Sequence, residues 1–496
     1  MKISDYRRHV GSIIDGQAVA PMPGGYDIEV VNPATEEVAG LLHEADAAEV
    51  GAAIVAARRA FDEGPWPRMS ADARKAILYA VRDKILAHSD ELAFLEIMNT
   101  GLPIASIRWQ ITRAAANFEM FADVAGLAAG QTFTQNASYL TYVTREPKGV
   151  AALIAPWNAP LALASMRVAT CIAFGNTCVL KPSEFTPHSL FRFVELIHEA
   201  GMPAGVVNLV NGRGHVTGAA LTESALIDMV GFTGGTETGR AIMAAAGRNL
   251  KPCLLELGGK SASIVFESAD FEQALDGTLA GIFANNGQQC LAGSRILVQR
   301  SIADRFIEAF VARAKSIRIG DPYDERMEMG PLAYRGHMER VLGYARIAEA
   351  EGSRVLAGGR RAAGHDKGFY VEPTVVLAQD NGARVCREEI FGPFASIIVF
   401  DTIDDAIRIA NDSEFGLVSY AWTSDLATTM RCSREIRAGT VWVNTPMMRE
   451  LRAPFGGYKA SGIGRDGAES SLAFFTELKT TSIPVAPIAI PRLGAN

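Results

Sequence analysis

The N-terminal part of the chain carries apolar residues at helical spacing. Alanine, valine, leucine and isoleucine recur every three to four positions in residues 45–62 and 70–98, and Ser70 is a candidate N-cap for the second segment. A third segment of this kind runs from about Pro103 to Ala125. The pattern predicts three helices.

Residues 132–149 have a different pattern. Tyrosine, leucine and valine alternate there with polar residues. A two-residue period is typical of a strand, so we expect a strand or hairpin arm outside the helical block.

From Gly149 onward, short apolar runs alternate with helical segments. The predicted strands are 149–157, 177–182, 206–212 and 228–235, and the helices between and after them are 159–174, 188–200 and 237–247. Such alternation predicts a parallel sheet with helices on both faces.

A second alternating series begins near 255–260, where Gly258 and Gly259 fall. Its predicted strands are 261–266, 295–300, 354–359, 395–400 and 440–444. Its predicted helices are 268–286, 302–317, 335–351 and 403–412. The fold class predicted from both series is α/β with two domains, and the C-terminal segment ends in another β-prone run.

Composition excludes several classes of protein. The 496 residues correspond to about three domain-sized units. Apolar residues are 48% and charged residues 21%, as in globular proteins. With 48 basic and 55 acidic residues the net charge is −7, which predicts no nucleic-acid partner and no anionic membrane partner.

The six cysteines are sparse and no C-x-x-C occurs, so we predict neither a metal site nor a disulfide framework. The N-terminal residues lack the apolar region of a secretory signal. The longest apolar run, Gly149 to Met166, is interrupted by two prolines and an asparagine, so no membrane span is predicted. We expect a cytoplasmic protein.

Three residues offer candidate catalytic chemistry. Cys290 follows a glycine turn among asparagines and glutamines, where a nucleophile would be accessible, although a buried packing cysteine is the alternative. Glu256 lies between leucines, where burial would favour a general base; the alternative is an ion pair with Lys260. Asn158 follows a predicted strand and would stabilise an oxyanion or cap a helix.

Three glycine-containing or charged loops are candidates for cofactor binding. The segment from Gly212 to Gly218 misses the G-x-G-x-x-G spacing by one residue. The loop 232–239 joins a strand to a helix whose N-terminus would accept a pyrophosphate. Lys181 and Glu184 follow another strand and would hold ribose hydroxyls. Each segment alone is equally compatible with an ordinary loop.

Seven segments together resemble the aldehyde dehydrogenase superfamily over nearly the whole chain, and within it the hydroxymuconic-semialdehyde dehydrogenase group. They occur in the family's order and are APWNAP (155–160), KPSE (181–184), FTGGTETG (232–239), LELGGK (255–260), FANNGQQC (283–290), EEIFGPF (388–394) and PFGGYKASGIGR (454–465).

The resemblance implies roles for three catalytic residues. Cys290 matches the nucleophile and Glu256 the general base. Asn158 matches the side-chain half of the oxyanion hole, and the backbone N–H of Cys290 is the other half. The implied reaction is attack of the thiolate on an aldehyde, oxidation by a nicotinamide cofactor, and hydrolysis of the resulting thioester.

The resemblance also implies the cofactor contacts. The positions that match the dinucleotide cleft are Trp157, Gly234, Gly235 and Leu257. The adenosine-ribose contacts are matched by Lys181 and Glu184, and the contacts to the nicotinamide ribose and ring by Glu389 and Phe391. At Gly235 the common family pattern has serine, so one hydroxyl near the pyrophosphate is missing. Glu184 favours NAD over NADP, because a carboxylate disfavours a 2′-phosphate.

The family's architecture implies three parts. They are an NAD-binding domain of 1–124 and 148–257, a catalytic domain of 258–460, and a small β oligomerisation arm of 125–147 with 461–496. The expected assembly is a homodimer or homotetramer.

Two arginines point to a carboxylated substrate. In members that act on muconic-type semialdehydes, an R-x-L-R segment similar to residues 449–452 supplies an arginine, and we assign this role to Arg452. Arg113 precedes AANF in a pattern that those members share. Two converging guanidinium groups bind a carboxylate well.

Nearby Trp109 and Phe455 suit an unsaturated or aromatic substrate body. These residues together predict a carboxylated semialdehyde of aromatic catabolism, such as 5-carboxymethyl-2-hydroxymuconic or 2-hydroxymuconic semialdehyde. The alternatives are surface arginines, with Arg452 paired to Glu450, and an enzyme for neutral aromatic or aliphatic aldehydes. A remote alternative is a non-catalytic member of the fold.

Overall fold

Two mostly parallel β-sheets form the centre of the molecule. The computed structural model describes Tyr6 and residues 8–19 and 28–494. The first sheet has eight strands in the spatial order Gly462–Ile463, Cys253–Glu256, Met229–Thr233, Val150–Ile154, Thr177–Lys181, Val207–Leu209, Ile13–Ile14 and Gln17–Ala18. The five strands from Cys253–Glu256 to Val207–Leu209 are parallel, and the strands at both edges are antiparallel.

The second sheet has seven strands. Their spatial order is Arg354–Ala357, Thr374–Leu377, Phe394–Phe400, Arg295–Gln299, Ala262–Val265, Val418–Trp422 and Thr440–Val443. Only Arg354–Ala357 is antiparallel to its neighbour. Smaller sheets join His9–Val10, Val38–Leu42 and Ile28–Val31, and Phe415–Gly416 with Tyr458–Lys459.

Helices flank both sheets. In the N-terminal half they are Ala47–Asp62, Ala71–Ala87, Ser89–Thr100, Ile104–Ala125, Pro160–Ala173, His188–Glu199, Ala219–Glu223 and Thr236–Gly247. In the C-terminal half they are Phe271–Phe283, Ala303–Lys315, Arg335–Ala350, Arg384–Arg387, Ile403–Asn411, Leu426–Glu435 and Ala468–Phe475. None of the helices built from described residues is long and apolar enough to cross a membrane.

Alternate residues of the central strands pack into different cores. Val150, Ala152 and Ile154 belong to one apolar cluster, whereas Ala151 and Leu153 belong to another on the opposite face. Strands buried on both faces are continuously apolar, which is why these runs lack polar alternation. The predicted α/β fold class is confirmed.

A three-stranded sheet forms a separate arm. Its central strand, Tyr139–Pro147, pairs antiparallel with Gln131–Phe133 and with Thr476–Pro484. The sheet therefore joins the segment 125–147 to the C-terminal segment of the chain. Gly462–Ile463, which we had assigned to the arm segment, pairs instead with Cys253–Glu256 in the first sheet. The other domain boundaries and the arm's role in assembly stay predictions.

The structure corrects two predicted helices. The helix predicted over 70–98 is broken at His88, where the backbone leaves helical geometry at φ −108° and ψ 22° and the ring donates to the Lys84 carbonyl at 2.9 Å. The helix predicted over 268–286 ends at Phe283, because Asn285 and Asn286 have positive φ.

Candidate active site

The carboxyl ends of four parallel strands bring the predicted motifs to one edge of the first sheet. Thr233 is in register with Glu256, and Ile154 with Lys181. The loops that follow these strands therefore leave the sheet side by side. Open α/β sheets bind ligands at this edge.

Cys290 lies on a tight loop after the Phe271–Phe283 helix. Asn285, Asn286 and Gly287 have φ of 56°, 56° and 69°, so three consecutive residues are left-handed. A Cβ at Gly287 would lie 2.2 Å from the backbone carbon of Gly392, which excludes any larger residue. The Asn286 side chain fixes the loop by donating to the Pro331 carbonyl at 2.8 Å and accepting from the Gly330 N–H at 2.9 Å.

The environment of the Cys290 thiol favours its protonated form in the absence of ligands. Burial, together with the carboxylates of Glu256 and Glu389, raises its pKa to about 12. The charges of Arg449 and Arg113 act in the opposite direction. The thiol must therefore lose its proton when it attacks a substrate.

Asn158 reaches the cysteine loop directly. Its Nδ2 donates to the Gln288 carbonyl at 2.9 Å, and its own carbonyl accepts from Asn285 Nδ2 at 3.0 Å. An amide nitrogen carries two hydrogens, so a second one remains for a ligand. Gln110 holds Asn285 in turn, with Nε2 donating to Oδ1 at 2.8 Å.

Glu256 is a buried carboxyl at the end of its strand. Its Oε1 has no hydrogen-bond partner, and a Cβ on Gly456 would lie 2.7 Å from that atom. Burial, aided by the charge of Asp466 and opposed by the guanidinium of Arg167, raises the pKa of Glu256 to about 8. A carboxyl that titrates near neutral pH and has a free oxygen can act as a general base.

A cavity of about 180 Å³ opens beside these three residues. The predicted site residues that line it are Trp157, Asn158, Gly234, Gly235, Glu256, Leu257, Cys290, Glu389 and Phe391. Trp157 and Phe391 meet edge to face with ring centroids 5.3 Å apart. Glu389 Oε1 accepts from the Gly259 N–H at 2.9 Å, and burial raises the Glu389 pKa.

The cavity has a wall suited to a pyrophosphate. Gly235 is the N-cap of the Thr236–Gly247 helix and provides no side-chain cap. The first N–H groups of a helix without a cap are available to an anion. A Cβ at Gly235 would meet no atom within 4 Å, so the glycine leaves open the space that the family's serine would fill.

Lys181 and Glu184 lie together outside the residues that line the cavity. The Lys181 Nζ donates to the Pro182 carbonyl at 2.7 Å and lies 3.8 Å from Glu184 Oε2. Burial lowers the pKa of Lys181 to about 8. The pair presents one carboxylate and one ammonium at the end of a central strand, which fits the hydroxyls of a ribose.

Arg113 and Arg449 converge near Cys290. In both side chains Nε and Nη2 are buried and have no hydrogen-bond partner among the residues that the structure describes. Burial is the main factor that lowers the pKa of each, and the charge of Arg449 also lowers the pKa of Arg113, to about 10. The guanidinium carbon of Arg449 lies 4.2 Å from the centre of the Phe455 ring. Burying a hydrogen-bond donor without a partner costs free energy, and a bound anion would supply the missing acceptors for both guanidinium groups.

The structure contradicts the prediction that Arg452 converges with Arg113 to bind the substrate. Its side chain is 73% exposed, and its Nε and Nη2 donate to the Glu450 carboxylate at 2.7 and 3.0 Å. Glu450 is close enough in sequence to hold Arg452 locally, whereas Arg449 points inward. This is the alternative that the sequence left open.

The predicted aromatic residues lie at different depths. Phe455 is buried in an apolar cluster with Leu417, Tyr420 and Trp442, against which Cys290 packs. Trp109 is 60% exposed, with its ring centre 5.7 Å from the guanidinium carbon of Arg113. Phe455 therefore belongs to the apolar cluster beside the thiol, whereas Trp109 lies at the protein surface.

Sequence reasoning missed several residues at the cavity. Tyr334, His337 and Arg340 line it from the start of the Arg335–Ala350 helix, and His337 donates to the Phe391 carbonyl at 2.7 Å. No motif marks them. The buried ion pair of Arg167 with Asp466 had one indication, an arginine within an otherwise apolar helix.

The chain belongs to the aldehyde dehydrogenase family, because the model of that family matches residues 22–481. It is therefore an aldehyde dehydrogenase, an enzyme that uses a nicotinamide dinucleotide as cofactor.

Similar proteins include enzymes of semialdehyde oxidation. A 2-hydroxymuconic semialdehyde dehydrogenase from Pseudomonas sp. (strain CF600) is 43% identical over 92% of this chain and 96% of its own. A 5-carboxymethyl-2-hydroxymuconate semialdehyde dehydrogenase from Escherichia coli is 42% identical over 93% and 98%. The crystal structure of betaine aldehyde dehydrogenase from Staphylococcus aureus with NAD+ matches with a TM-score of 0.96, 36% identity and coverage of 99% and 98%.

Proposed function

We propose that the chain oxidises a carboxylated semialdehyde to the corresponding acid through a covalent Cys290 intermediate. The observation that carries this proposal is the pair Arg113 and Arg449, whose buried nitrogens lack partners beside the thiol. A substrate carboxylate would supply the missing acceptors bidentately. Two similar proteins named above act on muconic-type semialdehydes, which carry such a group.

The first step forms a bond between Cys290 Sγ and the aldehyde carbon. The carbonyl oxygen becomes an oxyanion, to which Asn158 Nδ2 and the Cys290 N–H donate. The thiol proton leaves to solvent as this bond forms, and the charges of Arg113 and Arg449 favour the thiolate.

The cleft residues fit a nicotinamide dinucleotide, with the helix start at Thr236 for its pyrophosphate and Glu389 for its ribose. Bound there, the nicotinamide ring supplies a hydride acceptor. Glu256 then takes a proton from water, which attacks the thioester carbon and releases the acid and the Cys290 thiol. Since Glu184 would place a carboxyl group beside a 2′-phosphate, we infer that NAD is preferred, and a higher kcat/KM with NADP would contradict this.

The direct test is NADH formation across pairs of carboxylated semialdehydes and neutral analogues of equal length. The proposal predicts a strong preference for the carboxylated member of each pair and no turnover by Cys290→Ala. Equal turnover of both members would overturn the substrate class alone. Turnover by Cys290→Ala would overturn the covalent mechanism.

A further inference from the structure

Glu96 is a fully buried carboxyl that the mechanism above does not use. It lies on the Ser89–Thr100 helix, and its Oε1 accepts hydrogen bonds from the Leu161 N–H at 3.3 Å and from the Ser189 hydroxyl. Its Oε2 is buried without a partner. Burying a carboxyl with an unsatisfied oxygen costs free energy.

The hydrogen bond to Leu161 reaches the start of a helix that has no cap of its own. The Pro160–Ala173 helix begins after Ala159, which makes no side-chain capping bond. Glu96 therefore supplies, from another helix, the acceptor that an N-cap side chain normally provides. A carboxylate is also favoured there by the helix dipole. Asn158 lies just before this helix start.

The helix that carries Glu96 also contacts the cysteine loop, at its C-terminal end. The Gly101 carbonyl, directly after Thr100, accepts from Asn286 Nδ2 at 3.4 Å. Gly101 also packs closely on Gly330, where a Cβ would lie 2.0 Å from the Gly101 oxygen. The Ser89–Thr100 helix thus touches the segments that carry Asn158 and Cys290.

We propose that Glu96 is a positioning residue that holds Asn158 at the correct distance from Cys290 by anchoring the start of the Pro160–Ala173 helix. This inference rests on the proposed role of Asn158 as an oxyanion donor. If the helix start shifts, the amide moves away from the developing charge while the cofactor cleft remains. Misplacement by about 1 Å lowers rates by up to about 10²-fold.

The test compares Glu96→Ala and Glu96→Gln by the rate of the first-turnover NADH burst and by the dissociation constant of NAD. We expect Glu96→Ala to slow the burst by about tenfold or more with NAD binding within about twofold of the parent. Glu96→Gln keeps an acceptor for the Leu161 N–H, so most of the burst rate should return. Equal impairment by both variants would overturn the proposal. If Glu96→Ala does not fold, Ser189→Ala replaces it, with the same direction and a smaller loss.

A double-mutant comparison separates positioning from general damage. In an Asn158→Ala background, Glu96→Ala should slow the burst by less than about twofold, because the group that it positions is absent. Equal slowing in both backgrounds would overturn the proposal. An Asn158→Ala variant with the parent's burst rate would instead overturn the proposed role of Asn158.

Asn176→Ala is the matched control. Asn176 is equally buried and donates to the Cys171 carbonyl at 3.1 Å, near the far end of the same helix. We expect a similar loss of thermal stability and an unchanged burst rate. A burst rate slowed as much as in Glu96→Ala would mean that any weakening of this helix has the same effect, and would also overturn the proposal.

Discussion

Cys290, Glu256 and Asn158 come from separate parts of the chain, and each has a distinct electrostatic environment. Burial raises the pKa of both ionisable groups, to about 12 for Cys290 and about 8 for Glu256. The arginines around them lower both values. The balance between burial and guanidinium charge therefore sets when each group can react.

The raised pKa of Glu256 predicts a pH dependence of turnover. The carboxylate is the active base, and its fraction increases as the pH rises through about 8, so the deacylation rate should rise from pH 6 and level above about pH 9. Glu256→Gln should abolish this rise and leave a NADH burst without turnover. A parent profile that is flat between pH 6 and 8.5 in single-turnover deacylation would contradict the assignment.

Motif reasoning found most of the residues that surround the cavity, and several of them, including Trp157, Gly234 and Leu257, follow strands of the same sheet. It chose Arg452 and did not consider Arg449, which lies three positions earlier on the same irregular loop. The choice depends on Glu450, which binds Arg452 at the surface. Spacing alone contains no information about such local competition.

At the scale of elements, the left-handed turn before Cys290 is the most constrained local feature. Gly287 has φ of 69° and no room for a Cβ beside Gly392. Gly281 lies in the preceding helix, where a Cβ would meet no atom within 4 Å. There is thus space for a side chain at Gly281 but not at Gly287.

Gly287→Ala should destabilise the protein by about 1–3 kcal/mol and lower activity strongly, because the loop must shift. Gly281→Ala should be neutral or stabilising by up to about 1 kcal/mol. Thermal unfolding and steady-state rates measure both effects. Equal stability of the two variants would show that the turn is not strained by a side chain.

The sequence predicted most helices and strands that have strong periodicity, and failed where a short element depends on a distant partner. Gly462–Ile463 is a strand only because it pairs with Leu255 and Glu256. Thr374–Leu377 was missed although it lies within the second sheet, since four residues give little period to detect.

At the scale of the whole molecule, the arm sheet presents an open edge. Within the described residues, Thr476–Pro484 pairs on one side only, and its apolar residues Leu478 and Ile483 are 61% and 44% exposed. Edges of this kind pair with other chains unless they are covered. We propose that this edge contributes to the expected homo-oligomer.

Replacing Leu478 and Ile483 by glutamate should therefore reduce the oligomer size in solution, as measured by light scattering. Leu250→Glu is the control, because Leu250 is 92% exposed and outside the arm. The arm would have no role in assembly if both proteins kept the parent's mass.

The most direct test of the central claim, that Arg113 and Arg449 bind a substrate carboxylate beside Cys290, compares Arg449→Ala with Arg452→Ala. The measurement is the ratio of kcat/KM for a carboxylated semialdehyde to that for its neutral analogue. We predict that Arg449→Ala lowers this ratio by about 10- to 100-fold, since a hydrogen bond to a charged group contributes about 1.5–3 kcal/mol. Arg452→Ala should leave the ratio unchanged. An unchanged ratio in Arg449→Ala, or an equal fall in both variants, would contradict the account.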